Sequence, residues 1–194
     1  MARHKGLTFY EKKKKISKEM IREIFALLFY CFAAVLLAFV IVLLVGMKVS
    51  VIGVSMEPAL QNGQEVLVNR FIYKLLSPKR GDIVVFLPNG NKNSHYYLKR
   101  VIALPGETIQ IKDGKVYING IMLNEDDALD QMIDAGIAQN ELTLAADEYF
   151  VLGDNRNSSE DSRSGNIGAL KKDNIIGKAW FHMASENESM GLIE

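Results

Sequence analysis

The sequence predicts an all-β fold, an antiparallel β-sheet domain behind one N-terminal transmembrane helix. Three observations lead there. Residues 24–47 contain no charged side chain. After Met47 the apolar pattern breaks into short, alternating segments rich in β-branched and aromatic residues. Turn dipeptides, Asp113-Gly114 and Asn119-Gly120, punctuate those segments.

The apolar run comes first. At about 1.5 Å per residue, a helix over residues 24–47 reaches roughly 36 Å, against a hydrocarbon core of about 30 Å. The chain has 194 residues with 23 basic and 23 acidic side chains, so its net charge is zero. A basic nucleic-acid-binding face is therefore not expected. The charge is unevenly spread: residues 1–23 hold eight Lys/Arg and three acids, residues 48–194 fifteen and twenty. Cationic flanks stay on the cytoplasmic side, which predicts a cytoplasmic tail at 1–23, an anchor at 24–47, and everything beyond outside the cell membrane. A cleavable signal peptide is the competing reading. The run is longer than a signal-peptide core of about 7–15 residues, and Lys48-Val49-Ser50-Val51 is a poor cleavage site. Cys31 lies inside the run and reads as a small apolar residue. One Cys and three His leave no zinc cluster or disulfide framework, so neither metal nor cofactor is expected.

Segments 65–69, 82–86, 96–104, 108–111, 116–118 and 148–152 read as strands, with a hairpin at Asp113-Gly114. The acidic stretch 125–138 reads as a helix or equally as a loop, and about 120–147 as a small insertion or cap on a domain spanning 48–194.

Three polar stretches are candidates for chemistry. Gly53-Val54-Ser55-Met56-Glu57-Pro58 sets a serine between turn residues. It is not a nucleophile elbow, because Glu57 stands where a glycine is required. Tyr96-Tyr97-Leu98-Lys99-Arg100-Val101-Ile102 alternates, with Lys99 beside Tyr97 and Val101 and Arg100 beside Leu98 and Ile102. The two cations either snorkel from an edge strand or include a lysine held in apolar surroundings, which disfavours the ammonium form and yields a base. Residues 153–163 are dense in polar groups but fail as a calcium loop. Arg156 occupies the third ligand position, Ser159 the sixth and Gly165 the twelfth. They read instead as a rigid loop of hydrogen bonds and ion pairs.

Together, and in this order behind this anchor, these stretches resemble the signature boxes of the bacterial type I signal peptidases, in a form similar to Gram-positive members. The resemblance runs from the anchor to about Ala179. Ser55-Met56-Glu57-Pro58 resembles the nucleophile box and Arg80-Gly81-Asp82-Ile83-Val84-Val85-Phe86 a structural strand. Tyr97-Leu98-Lys99-Arg100-Val101-Ile102 with Leu104-Pro105-Gly106 resembles the lysine box, and residues 153–163 the final box.

The resemblance implies a serine endopeptidase with a Ser–Lys dyad. Ser55 is the nucleophile and neutral Lys99 its general base; Ser159 orients the lysine, and the Ser55 backbone N–H meets the oxyanion. Gly53 stands where some relatives add a hydroxyl donor. Arg100, Asp154, Asp161 and Arg163 are implied to be supporting ion-pair residues. His4, His95 and His182 have no triad context. The implied substrates are exported preproteins with signal peptides carrying small residues at the first and third positions before the cut. By position, Met56, Leu60, Val66, Tyr97 and Leu98 are expected to line the pockets. Ser55 follows Met47 by eight residues, at most roughly 28 Å of chain, which confines it to the layer at the bilayer surface. Ala59, Ala103 and Gly165-Asn166-Ile167-Gly168 depart from the family pattern without removing an implied catalytic group. Self-cleaving SOS-type repressors are a nearby alternative, but they carry a DNA-binding region where this sequence has its apolar span. A non-catalytic, membrane-anchored binding or assembly module would be marked by loss of the serine or lysine, and both are present.

Overall fold

The computed structural model describes residues 17–91, 94–125, 129–185 and 189–193. It contains α1 (Lys18–Val45), β1 (Gly46–Ser50), β2 (Glu65–Asn69), the one-turn α2 (Ile72–Leu75), β3 (Ile83–Phe86), β4 (Tyr97–Ala103), β5 (Thr108–Lys112), β6 (Lys115–Ile118), β7 (Ile121–Met122), β8 (Leu142–Thr143), β9 (Glu148–Leu152), β10 (Leu170–Lys171), β11 (Ile175–His182) and β12 (Gly191–Leu192).

The helix is displaced from the charge-free run, starting six residues earlier and ending two earlier than 24–47. Ser17 Oγ accepts the Met20 N–H at 3.1 Å and caps the helix, so its start is set by a hydroxyl rather than by the last charge. Its C-terminus falls before Gly46, and Gly46 and Met47 pair in β1 with Asn69 and Val68. Residues 18–40 have the length and mean hydropathy to cross a membrane. Most of the basic tail, residues 1–16, lies outside the described residues.

Residues 45–194 form one compact unit. Its larger sheet runs β1-β2-β11-β3-β4-β9-β10, with β12 added to β11; the smaller runs β7-β6-β5-β8. All pairs among the described residues are antiparallel. The all-β reading of this unit holds.

β3 is buried at every position because both of its faces are covered. Ile83 and Val85 pack with Val49, Val51, Met56, Leu60, Val66, Val68 and Leu98 on one side. Val84 and Phe86 pack with Tyr73, Val101, Tyr149, Val151 and Leu170 on the other. A third core joins the two sheets through Ile102, Phe150 and Leu152 against Ile109, Ile111, Val116 and Leu144.

The six expected strands are present. β11 is an addition, and it is central, lying between β2 and β3. Gly177 and Lys178 interrupt its apolar pattern, and each has a structural reason. A side chain at Gly177 would collide with the Asn69 carbonyl of β2. Lys178 Nζ lies 2.5 Å from Asp82 Oδ1, at the foot of β3.

The 125–138 stretch follows the loop alternative where it is described. Residues 126–128 lie outside the described residues, and 129–135 form no helix before a 3₁₀ turn at Gly136–Gln139. Its backbone groups are committed elsewhere. Met132 N–H donates to Gly114 O at 3.2 Å, Ile133 N–H to Asn157 Oδ1 at 3.0 Å, and Arg163 Nη1 donates to Asp134 O at 3.1 Å. β7 and β8 make this region the two edges of the smaller sheet.

Candidate active site

Ser55 sits on a tight connection between β1 and β2. Val51 N–H donates to Gln64 O and Gly63 N–H to Val51 O, each at 2.8 Å, closing the base of the loop. Gly53 takes φ +84°, the left-handed region that favours glycine, and donates its N–H to Asn62 Oδ1 at 2.9 Å. Met56 and Leu60 then plunge into the core, both fully buried. Burial of each contributes roughly 1.5–3 kcal/mol, enough to hold the serine that precedes them in one place. Among the described residues nothing accepts the Ser55 backbone N–H.

Lys99 comes from the middle of β4. The last β4–β9 pair is Arg100 with Leu152; beyond it the chain leaves β9 at Gly153. The Ser55 carbonyl accepts the Asn155 N–H there at 3.1 Å, which brings the serine turn to β4 where β9 has departed. Lys99 Nζ donates to Ser55 Oγ at 2.6 Å and stands 5.6 Å from the centre of the Tyr97 ring. Lys99 is 3% exposed. Burial pulls its pKa down to about 8, against the opposing fields of Asp161, Glu160 and Asp154.

Around this pair the 153–163 loop is a lattice of charge-assisted hydrogen bonds. Arg100 forks onto Asp154 with two contacts of 2.9 Å and donates to Gly81 O at 3.0 Å. Arg163 forks onto Asp161, again at 2.9 Å twice, and reaches Arg156 O at 2.5 Å. Asp161 Oδ2 accepts the Gly153 N–H at 3.1 Å. Arg156 is buried on a bidentate contact with Glu125 at 2.9 and 2.6 Å and donates to Gly153 O at 3.1 Å. Gly153 is pinned on both its N–H and its carbonyl. A side chain there would collide with the Ser159 hydroxyl and the Ser55 carbonyl oxygen. Fork-to-fork arginine contacts fix orientation as well as distance.

Ser159 is near Ser55, but no hydrogen bond joins it to Lys99. Its Oγ is buried and, among the described residues, the one buried side-chain polar atom without a partner. Ser162 is committed differently: its Oγ accepts the Val151 N–H at 3.0 Å in full burial.

A groove of about 240 Å³ opens onto the pair, lined by Val51, Ile52, Met56, Tyr97 and Leu98 with His95, Tyr96 and Glu160 at its polar side. Three of the five expected pocket residues, Met56, Tyr97 and Leu98, line it. Leu60 and Val66 do not; both are fully buried in the core beneath, because inward alternation on β2 turns Val66 away from the groove. A larger cavity of about 570 Å³ lies around Arg100, Pro58 and Leu123 and includes neither Ser55 nor Lys99.

Glu125, Asn155, Arg156 and Glu160 went unassigned by the sequence reading. Arg156 carried a signal, a cation inside an acidic loop, but its partner Glu125 is 31 residues away.

The site is a buried amine against a hydroxyl in a groove, on an antiparallel β framework. The family profile described as "Signal peptidase, peptidase S26" matches residues 24–184. The chain belongs to that family and is a peptidase of the type I class. It is 36% identical over 175 residues to "Signal peptidase I P" of Bacillus subtilis subsp. natto, covering 87% of this chain and 91% of that relative. With "Signal peptidase I T" of Bacillus subtilis (strain 168) it shares 38% identity over 143 residues, 70% of this chain and 72% of that one. A crystal structure of a signal peptidase I from Enterococcus faecalis V583 is 35% identical, covering 53% of this chain and 97% of that one at a TM-score of 0.43.

Proposed function

We propose that this protein removes N-terminal signal peptides from exported preproteins at the outer surface of the cell membrane, with Ser55 as nucleophile and Lys99 as general base. The observation that carries this reading is the 2.6 Å contact between Lys99 Nζ and Ser55 Oγ, with burial drawing the amine's pKa down to about 8 and so bringing its neutral form within reach.

The chemistry follows in balanced steps. Ser55 Oγ attacks the scissile carbonyl carbon while its proton passes to neutral Lys99 Nζ. The developing oxyanion is met by the Ser55 N–H. The carbon–nitrogen bond then breaks, and the Lys99 ammonium gives its proton to the leaving amine. Water attacks the resulting ester while Lys99 takes its proton; the ester carbon–oxygen bond then breaks, the Lys99 ammonium returns that proton to Ser55 Oγ, and the signal-peptide carboxylic acid leaves and ionises in solvent. Ser159 positions Lys99, a role that rests on the family resemblance; its buried hydroxyl lies beside Gly153 and near Ser55 but makes no hydrogen bond to the lysine. Arg100, Asp154, Asp161 and Arg163 hold the loop that Ser55 leans on.

β4 supports a mode of substrate binding. Tyr97, Leu98 and Lys99 pair with Phe86, Val85 and Val84 on one edge only. An extended substrate adds along the open edge, alternate side chains entering the groove. Small residues at the first and third positions before the cut suit its shallow apolar floor, formed by Val51, Met56 and Leu98. The apolar helix anchors the chain in the bilayer, with Met1 cytoplasmic and residues 48–194 outside.

The test is incubation of the detergent-solubilised protein with a precursor, mapping the cut by mass spectrometry. A single cut after a small residue, lost in Ser55→Ala, supports the proposal; an intact precursor, or a cut that survives Ser55→Ala, refutes it.

A further inference from the structure

The groove is not evenly apolar. Glu160 is the acidic side chain among its described lining residues, and it is exposed at the rim while Lys99 is buried at the floor. It is not loose. Tyr97 Oη donates to Glu160 Oε2 at 3.2 Å and Asn166 Nδ2 to Oε1 at 3.5 Å, so both carboxylate oxygens are engaged from two different segments. Its neighbour Asp161 is consumed by Arg163 and Gly153, whereas among the described residues no cationic side chain hydrogen-bonds or ion-pairs with Glu160. When Lys99 is neutral, Glu160 supplies the negative charge facing the substrate path.

We propose that Glu160 is a specificity-determining residue of the groove, favouring substrates with a Lys or Arg at the second or fourth position before the cut and disfavouring Asp or Glu there. The proposal rests on the signal-peptidase reading above. In an extended substrate, side chains at the second and fourth positions point opposite to those at the first and third. With the small pair against the apolar floor, the other two project toward the polar rim that Glu160 occupies. Coulomb interaction across a few ångströms of partly wetted surface separates cationic from anionic side chains by roughly ten-fold in kcat/KM.

A second consequence distinguishes this role from simple support. Lys99 faces Asp161, Glu160, Asp154 and Arg163 from the final loop, with the Tyr97 ring on its own strand and His95 elsewhere on the groove. Glu160 favours the Lys99 ammonium, so its neutralisation shifts the ascending limb of activity to lower pH. Loss of mere scaffolding gives no such directional shift.

The experiment measures kcat/KM for peptides identical except for Lys, Gln or Asp at the second and, separately, the fourth position. Wild-type protein and Glu160→Gln are compared at low and high salt, with His95→Gln as the control on a second polar side chain of the groove. The expected result is a Lys-over-Asp preference of roughly ten-fold in the wild type that shrinks in salt, collapses to within about two-fold in Glu160→Gln and persists in His95→Gln. The pH limb should move acidward in Glu160→Gln alone. Cleavage of all three peptides with equal efficiency by the wild type, or an unchanged preference in Glu160→Gln, overturns this proposal and leaves the signal-peptidase reading standing. Failure of the wild type to cut even the Gln peptide and a full precursor overturns both.

Discussion

Lys99 Nζ stands 2.6 Å from Ser55 Oγ although 44 residues of chain separate the two. The contact exists because β9 ends its pairing with β4 at Arg100 and turns away at Gly153, and the departing chain holds the serine turn through the Asn155 N–H to Ser55 carbonyl bond. Nothing local to either residue brings them together.

Ser55→Ala and Lys99→Ala should each reduce precursor cleavage by at least about a thousand-fold while leaving the β domain folded by circular dichroism. Groups acting as one unit do not lose activity additively, so the double variant should be little worse than either single one. Appreciable cleavage by folded Lys99→Ala would remove the lysine from the mechanism.

Activity should rise with pH through about 8, because burial lowers the Lys99 pKa to that value and the neutral amine is the active form. Below that point the rate should climb about ten-fold per pH unit. The sign for stability is the same. Between about 8 and the ordinary lysine value of 10.5 the unfolded chain binds more protons at Lys99 than the folded one, so stability should rise with pH across that window. A pH–rate profile and thermal melts across pH 7–10 check both.

The two neighbouring serines should separate cleanly. Ser159 Oγ makes no hydrogen bond, so Ser159→Ala should leave the melting temperature nearly unchanged while lowering kcat at similar KM. Ser162→Ala should do the reverse. It strands the buried Val151 N–H and costs about 1–3 kcal/mol of stability, with kcat of the folded fraction preserved. Denaturant unfolding and steady-state kinetics on both variants decide it; equal damage to kcat from both would remove Ser159 from its positioning role.

Asp161→Ala leaves the Arg163 guanidinium buried without its carboxylate and releases the Gly153 N–H. A loss of about 3–5 kcal/mol is expected by chemical denaturation. Arg100→Ala leaves the Asp154 carboxylate, 3% exposed, without its guanidinium and should cost a comparable amount.

Orientation is tested with protease added to intact cells. Cleavage should occur after Met47 and should spare the cluster Lys12-Lys13-Lys14-Lys15, following the charge asymmetry across the apolar run. The opposite protection pattern would separate the protein from exported precursors.

The sequence by itself determined what depends on neighbours along the chain. Period-two alternation marked β2, β4, β5, β6 and β9, Asp113-Gly114 marked the hairpin between β5 and β6, and the charge-free run marked the apolar helix. The four boxes pointed to Ser55 and Lys99. Tertiary structure decided everything that depends on distant partners. Gly177 and Lys178 break the local pattern of β11, and only the closeness of Asn69 and the charge of Asp82 explain why a central strand contains them. Leu60 and Val66 read as pocket residues by position, yet their side chains face the core. The strand pattern left Lys99 either snorkelling outward or held in apolar surroundings; its burial, its distance from Ser55 and the fields of Glu160, Asp161 and Asp154 appear only once β4, the serine turn and the final loop meet. Strand pattern is a short-range property of the backbone, while burial and electrostatic field are sums over neighbours that folding alone assembles.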